Sequence, residues 1–367
     1  MSDTLNIKHV LELLEPYDPG LFPDDITERY GIPSAEIVNL SSNENPYPPP
    51  EGVIKAVVEA LNSTNRYPDP SYRELKEAIS KYVKLDAEWV AVGNGSSDMV
   101  DLICKTTLSP LDRVVIPVPT YALYMLASMV WEAGISYVET EDSDFTIKAA
   151  RMQPLLEDAK LVFLGSPNNP TGVRVKEEEL EMMLEAKHAT FVLDEAYYEF
   201  SGKTAVDFLD EHENLIIIRS MSKYFCLAGL RVGYALSNPQ IIEGLEKVRL
   251  PFNINSLAKT AAVHALQQTE YYKEIGQRIV SERENLRKEL ERVGLGPLPS
   301  EANFLMVRLP EGLDADEFAQ KLAAQGVIVR SLKGLLGLTR KCFRVTVGTE
   351  DENRKFIQVC EDVLKSI

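Results

Sequence analysis

Between residues 89 and 223 the chain repeats one arrangement: a short apolar run, a knot of polar or glycine residues, then a helix-like stretch. Trp89-Val90-Ala91-Val92 leads into Gly93-Asn94-Gly95-Ser96-Ser97, and Arg113-Val114-Val115-Ile116-Pro117-Val118 into Pro119-Thr120-Tyr121. Leu161-Val162-Phe163-Leu164 precedes Ser166-Pro167-Asn168-Asn169-Pro170-Thr171-Gly172. Phe191-Val192-Leu193 precedes Asp194-Glu195-Ala196-Tyr197, and Leu215-Ile216-Ile217-Ile218 precedes Arg219-Ser220-Met221-Ser222-Lys223. Apolar runs this short, alternating with helices, predict strands of a mostly parallel sheet covered on both faces. Ligands of such sheets bind beyond the carboxyl ends of the strands. Each polar knot falls at that end, so one pocket can collect them all.

After Pro251 the pattern changes. Residues 256–290 read as one or two long helices, followed by strand-like Asn303-Phe304-Leu305-Met306-Val307 and an amphipathic helix over residues 314–325. Two further strand-like runs, Val327-Ile328-Val329-Arg330 and Phe343-Arg344-Val345-Thr346-Val347, precede a final helix from Glu350. This predicts a smaller α+β domain beside the α/β one. The N-terminal segment, with Pro16, Pro23, Pro33 and the run from Pro46 to Pro50, has no core pattern. It is expected either to drape over the pocket or to join the smaller domain. The expected division is a large domain over residues 45–258, with residues 1–44 and 259–367 forming the N-terminal segment and the small domain.

At 367 residues the chain exceeds what one core supports, in keeping with two domains. A net charge of -17 disfavours a nucleic-acid partner, which selects a basic surface. It leaves anionic substrates open, because a few arginines can dominate a pocket. Cys104, Cys226, Cys342 and Cys360 are far apart and fit reduced intracellular thiols. The N-terminus lacks the apolar core of a signal peptide, and no apolar run approaches a membrane span. The expectation is a cytoplasmic protein without a membrane partner. The four histidines are isolated, with no metal-binding spacing, and neither a nucleophile elbow nor a Walker lysine is present.

The lysine is therefore the strongest candidate for chemistry. Lys223 can form a Schiff base with an aldehyde. Ser220, Ser222 and Arg231 lie within a few residues of it, and hydroxyls with a guanidinium suit a phosphate. An aldehyde and a phosphate on one small molecule describe pyridoxal 5'-phosphate. The backbone amides of Gly95, Ser96 and Ser97, at a strand-to-helix turn, suit the same phosphate. Asp194 closes a buried apolar strand, where pairing with a protonated pyridine nitrogen offsets the cost of its charge; a helix N-cap is the alternative. Arg344 sits within an apolar strand and Arg330 ends another, so each needs an anionic partner, either a substrate or a structural carboxylate.

In order along the chain, Tyr17-Asp18-Pro19-Gly20, Asn43-Glu44-Asn45-Pro46, Arg66-Tyr67-Pro68, the glycine turn, Pro119-Thr120-Tyr121, Ser166 through Gly172, Asp194-Glu195-Ala196-Tyr197, the lysine segment and Arg344-Val345-Thr346-Val347-Gly348 make a set. The set resembles the fold-type-I pyridoxal-phosphate aminotransferases, in particular their histidinol-phosphate branch, over nearly the whole chain. The resemblance implies a large, mostly parallel α/β sheet domain plus a smaller α+β domain. It implies that Lys223 holds the cofactor and shuttles protons. Tyr197 and Asn169 would serve the cofactor's ring oxygen, and Tyr121 would stack on its ring. Tyr67 would reach the phosphate in a neighbouring subunit, making a homodimer. Arg344 would bind the substrate carboxylate and Arg330 the substrate phosphate, with Tyr17 and Asn45 beside them. The implied reaction moves an amino group between L-histidinol phosphate and 2-oxoglutarate. A threonine-phosphate decarboxylase-like lyase and an aromatic amino acid aminotransferase share these features. The chain departs from the family in reading Gly95-Ser96-Ser97-Asp98 at the glycine turn and in carrying Tyr224 after the lysine.

Overall fold

The structure, a computed structural model, describes residues 7–14, 18, 20–140, 144–338 and 341–366. Its strands are β1 (Val38–Asn39), β2 (Val90–Gly93), β3 (Arg113–Val118), β4 (Gly134–Glu139), β5 (Ala159–Gly165), β6 (Thr190–Asp194), β7 (Leu215–Ser220), β8 (Gly233–Leu236), β9 (Gly296–Pro297), β10 (Phe304–Arg308), β11 (Val327–Ile328), β12 (Arg330–Ser331) and β13 (Cys342–Thr346). Seven of them form one sheet in the order β2-β8-β7-β6-β5-β3-β4. β8 pairs antiparallel with both β2 and β7, and the other pairings are parallel. The carboxyl ends of β2, β3, β5, β6 and β7 therefore share one edge.

The uniform apolar runs follow from burial on both faces. Val92, Val115, Val162, Leu164, Phe191, Leu193, Leu215 and Ile217 pack into one layer, and Ala91, Val114, Ile116, Leu161, Phe163, Val192, Ile216 and Ile218 into the other. Successive side chains on a strand point to opposite faces, so a doubly covered strand has no polar phase. The helix Ser96–Thr107 supplies Met99, Val100 and Ile103 to one layer, and Ser256–Leu266 supplies Ala258, Ala261 and Ala262 to the other.

A second sheet, β12-β13-β10-β9, is antiparallel. Phe304, Val307, Phe343 and Val345 pack against Phe318 and Leu322 of the helix Ala315–Ala323 and against Phe356 and Cys360 of the helix Glu350–Lys365. Both helices begin at side-chain caps: Asp314 accepts from the amides of Asp316 and Glu317, and Thr349 and Glu352 form a capping box. This is the smaller α+β layer pair expected from the sequence.

Several elements differ from expectation. The stretch over residues 256–290, read as one or two helices, is two, Ser256–Leu266 and Thr269–Arg292, but the expected run over residues 327–330 is split between β11 and β12. The edge strand β4 and the reversed strand β8 had no counterpart among the expected elements, nor did the helices Glu51–Ala60 and Arg73–Val83. Two parts of the N-terminal segment are placed. β1 pairs in parallel with β11, and the residues immediately after β1 line the pocket.

Beside the site, a buried ion pair locks two strand ends together. Arg219 on β7 donates from Nε and Nη2 to Glu195 Oε2, at 3.0 and 2.8 Å, with both side chains 2% exposed. Thr204 and the Ala205 amide complete the coordination of Glu195. A buried pair survives only when its remaining polar atoms are satisfied, as here. The pair holds Asp194 and the lysine segment at a set separation.

Candidate active site

The strand ends open into a cavity of about 270 Å³, walled by the large sheet on one side and by Arg330, Leu332 and Arg344 of the small sheet on the other. Of the residues singled out from the sequence, Ser96, Ser97, Tyr121, Asn169, Asp194, Tyr197, Ser220, Ser222, Lys223, Arg231, Arg330 and Arg344 all line it.

One end is a cradle for a phosphate. The helix Ser96–Thr107 begins there, so its first amides have no intrahelical acceptor and its dipole favours an anion. Gly95 is the N-cap at φ 87°, and its amide donates to the Gly93 carbonyl at 2.9 Å. The expected cradle therefore loses the Gly95 amide and begins at Ser96. Glycine is nonetheless favoured at position 95, because other residues are strained at φ 87° and a Cβ would displace the Arg231 guanidinium. Gly233 is required, since its Cβ would lie 2.3 Å from the Ser96 amide. Arg231 Nη1 donates to Ser222 Oγ at 3.1 Å, and the Ser222 amide donates to Ser220 Oγ at 3.1 Å. The guanidinium and the hydroxyls thus converge on the helix start.

Lys223 follows β7, and its Nζ donates to the Ser42 carbonyl at 2.9 Å. Burial, aided by the guanidiniums of Arg344 and Arg231 and opposed by Glu44, pushes the pKa of its amine down to about 8. Roughly a tenth of the amine is then neutral and nucleophilic at pH 7, against far less than a hundredth for an ordinary lysine.

Asp194 ends β6 and is 8% exposed. Its carboxylate accepts from the Tyr124 hydroxyl at 2.7 Å and from the Ala196 amide at 2.9 Å. Burial still outweighs these donors and, with Glu195 nearby, raises its pKa to about 6. It is not an N-cap: the short helix that follows, Tyr198–Ser201, is preceded by Tyr197. Tyr197 is buried, its hydroxyl accepts from Asn43 Nδ2 at 3.0 Å, and burial holds its pKa near 12, so it remains a protonated donor. Asn169 Oδ1 accepts from Arg344 Nη1 at 2.7 Å, which leaves its amide nitrogen as the donor. Tyr121 lies edge-on to Tyr124, with ring centroids 5.7 Å apart.

Arg330 and Arg344 are direct partners across the β12–β13 ladder, so their side chains share one face. Arg344 Nη2 also donates to the Ser41 carbonyl. Arg330 Nη2 donates to the Asp18 carbonyl at 2.8 Å, and the Asp18 carboxylate is 3.5 Å from it.

Two further expected site residues stand apart. Asn45 does not line the cavity. Its amide donates to the carbonyls of Lys223 and Tyr224, at 3.0 and 3.2 Å, and so anchors the lysine segment instead of facing a substrate. Tyr67 is 81% exposed and stacks on Phe252 at 4.4 Å, away from this chain's own cavity. Tyr17 lies outside the described residues.

Other lining residues had not been singled out as site residues: Ser41, Ser42, Asn43, Thr120, Tyr124, Leu332 and Leu335. Tyr124 was legible in principle, since it falls one helical turn after Tyr121 on the same face. Asn43 was not, for its partners lie far away in sequence. Among the described residues no cluster of groups could hold a metal ion. None of the described helices is long and apolar enough to cross a membrane.

A strand-end lysine with a depressed pKa, a buried carboxylate opposed mainly by its own desolvation, and a serine-arginine cradle at a helix start define a fold-type-I site for a phosphorylated aldehyde cofactor. The donor set fits pyridoxal phosphate group by group: Lys223 for the aldehyde, Asp194 for the ring nitrogen, Tyr197 and Asn169 for the ring oxygen, and the cradle for the phosphate. The chain belongs to the class I and II aminotransferases, a pyridoxal-phosphate-dependent family whose model matches residues 35–359.

Histidinol-phosphate aminotransferase 2 of Archaeoglobus fulgidus is 41% identical over 361 residues, covering 97% of this chain and 100% of the relative. The solved histidinol-phosphate aminotransferase of Clostridium acetobutylicum superposes with a TM-score of 0.83 at 28% identity, covering 90% of this chain and 100% of that one. That of Sinorhizobium meliloti, in complex with pyridoxal-5'-phosphate, gives a TM-score of 0.87 over 98% of each chain; at 24% identity it bears on the fold alone.

Proposed function

We propose that this chain is a histidinol-phosphate aminotransferase, exchanging an amino group between L-histidinol phosphate and 2-oxoglutarate in histidine biosynthesis. The observation that carries the reading is the pair Arg330 and Arg344, set side by side across one ladder and both lining the lysine's cavity. Two adjacent guanidiniums suit a phosphate dianion in one half-reaction and a dicarboxylate in the other. The full-length kinship with Archaeoglobus fulgidus histidinol-phosphate aminotransferase 2 supports the same substrate.

When bound, the cofactor supplies an aldehyde for the lysine and a ring that withdraws electrons from the substrate Cα. The chain supplies the rest. Lys223 Nζ would take the Cα proton and deliver it to the cofactor carbon that carried the aldehyde. Asp194, charged above pH 6, would hold a proton on the ring nitrogen. Tyr197 and Asn169 would donate to the ring oxygen, and Tyr121 would cover the ring face. Ser96, Ser97, Ser220, Ser222 and Arg231 fix the phosphate, so the reacting carbon stays in reach of Lys223.

Comparing amino donors tests the substrate. Histidinol phosphate is expected to exceed phosphate-free histidinol by at least about tenfold in kcat/KM, the worth of one charge-assisted contact. Equal rates, or a preference for an aromatic amino acid, would move the chain to another aminotransferase activity.

The reading extends to the division of the chain. Residues 45–258 would carry the cofactor, and residues 1–44 with 259–367 would bring both substrate arginines. It also includes a homodimer in the cytoplasm. Tyr67, with Phe252 and the 67% exposed Leu250, forms an apolar surface from which Tyr67 would reach the partner's cradle. The four cysteines are free thiols, in keeping with a reducing compartment. Light scattering should give twice the 41.1 kDa chain mass, and a monomer that is fully active would remove the role given to Tyr67.

A further inference from the structure

We propose that Asn43 is a positioning residue that sets the direction of the Tyr197 hydrogen bond, forcing the phenol proton toward the cofactor site. The proposal deepens the reading above, because it takes Tyr197 as the donor to the cofactor's ring oxygen.

Asn43 is 1% exposed and sits at φ 53°, a left-handed conformation that asparagine tolerates better than most residues. Its polar groups are held from the small-domain side. Its amide N–H donates to Thr346 Oγ1 at 2.9 Å, and its carbonyl accepts from Asn303 Nδ2 at 3.0 Å. Thr346 lies on β13, two residues beyond Arg344. The remaining question is which end of the Asn43 side chain faces Tyr197.

Donor counting answers it. Thr346 Oγ1 already accepts from the Asn43 amide, so its single proton needs an acceptor, and Asn43 Oδ1 lies nearby at 3.5 Å. With Oδ1 turned to Thr346, Nδ2 faces Tyr197 at 3.0 Å and donates to the phenol oxygen. The reverse orientation would place two donors on Thr346 Oγ1 and leave its own proton without a partner, a costly arrangement in a buried site. Tyr197 thus accepts a hydrogen bond from Asn43 and must direct its own O–H elsewhere. Burial keeps that phenol protonated. Tyr197 lines the cavity with Asn169, where the cofactor's ring oxygen would be the acceptor and Asn169 a second donor. An asparagine-to-threonine contact from the small sheet thereby orients a donor on the large one.

The discriminating variant is Asn43→Asp, which keeps the size and tolerates the left-handed backbone but replaces the donor with an acceptor. The phenol proton would then turn back toward residue 43. Asn43→Gly removes the donor, carries no charge and accepts φ 53° freely. The readout is the pH midpoint of the visible absorbance of the lysine-linked cofactor in the holoenzyme. A donor to the ring oxygen stabilises its negative charge and makes the neighbouring nitrogen less basic, so losing the donor should raise the midpoint.

Tyr197→Phe is expected to raise the midpoint by about one unit, the scale of one hydrogen bond to a charged acceptor. Asn43→Asp should raise it by at least as much and Asn43→Gly by less, since an unguided phenol can still turn to the cofactor. In the Tyr197→Phe background, Asn43→Gly should cause no further shift, and Asn43→Asp only the residue due to its charge. If both Asn43 variants shift the midpoint equally with and without the phenol, Asn43 does not act through Tyr197 and the proposal fails while the site assignment stands. If Tyr197→Phe itself leaves the midpoint in place, both the role of Tyr197 and this proposal fail.

Discussion

Lys223→Ala is expected to abolish the visible absorbance of the bound cofactor and to lower turnover by roughly 10⁴-fold or more, beyond the usual worth of a general base, because covalent attachment is lost too. Among the described residues Lys223 is the lysine that lines the cavity, which Asp194 and the cradle residues line as well. The fold should persist: the side chain makes one hydrogen bond, to the Ser42 carbonyl, and the segment stays anchored by Asn45. Far-ultraviolet circular dichroism and absorbance spectra would check both halves of the prediction. The wild-type lysine adds a pH signature. With its pKa depressed to about 8, capture of pyridoxal phosphate by cofactor-free protein should quicken about tenfold per pH unit below 8 and level off above it. The sign follows from the neutral amine being the nucleophile. A rate still climbing steeply at pH 9.5 would mean the lysine is not depressed. A variant that kept its absorbance would place the linkage on another residue.

The second large effect separates the two arginines. Arg344→Ala should lower kcat/KM in both half-reactions by about 10- to 100-fold, because each loses a charge-assisted contact worth about 1.5–3 kcal/mol. It also loses the bond that orients Asn169 and the tie to the Ser41 carbonyl. Arg330→Ala should damage the phosphorylated-amine half-reaction by a similar factor and the glutamate half-reaction less. Arg330 is partly neutralised by Asp18 at 3.5 Å, so it is expected to favour the more highly charged anion. Single-turnover rates with each amine would measure the two halves separately. Equal losses in Arg330→Ala would make that residue a general anion anchor without preference for phosphate.

The legible part of this protein was the part governed by short-range rules. Uniform apolar runs such as Leu215-Ile216-Ile217-Ile218 declare strands buried on both faces, and polar residues at their carboxyl ends must then meet at one edge. That logic brought Ser96, Asp194, Ser222 and Lys223 into one cavity before any fold was known. The illegible part depends on distant partners. Asn43 and Asn45 are two residues apart in an irregular segment, and nothing local indicates that Asn43 meets Tyr197 and Thr346 while Asn45 ties down the Lys223 carbonyl. The Gly95 amide was assigned to the cradle because the turn is glycine-rich, but a turn also satisfies itself, here through the Gly93 carbonyl. Strand β4 is an edge strand with exposed positions, so its apolar signal is weak. Tyr67 is exposed and does not line its own chain's cavity, so a role for it requires a second copy.

The central claim is amino transfer from a phosphorylated amine that lacks a carboxylate. For such a substrate the Cα–H bond is the one to break, and the two arginines need only tether the far phosphate. Threonine phosphate would instead have to present its carboxylate for loss. The most direct measurement follows products when purified holoenzyme is given histidinol phosphate with 2-oxoglutarate, and separately threonine phosphate. The account predicts one glutamate for each imidazole acetol phosphate formed, and no carbon dioxide from threonine phosphate. Carbon dioxide from threonine phosphate, with no glutamate from histidinol phosphate, would contradict it.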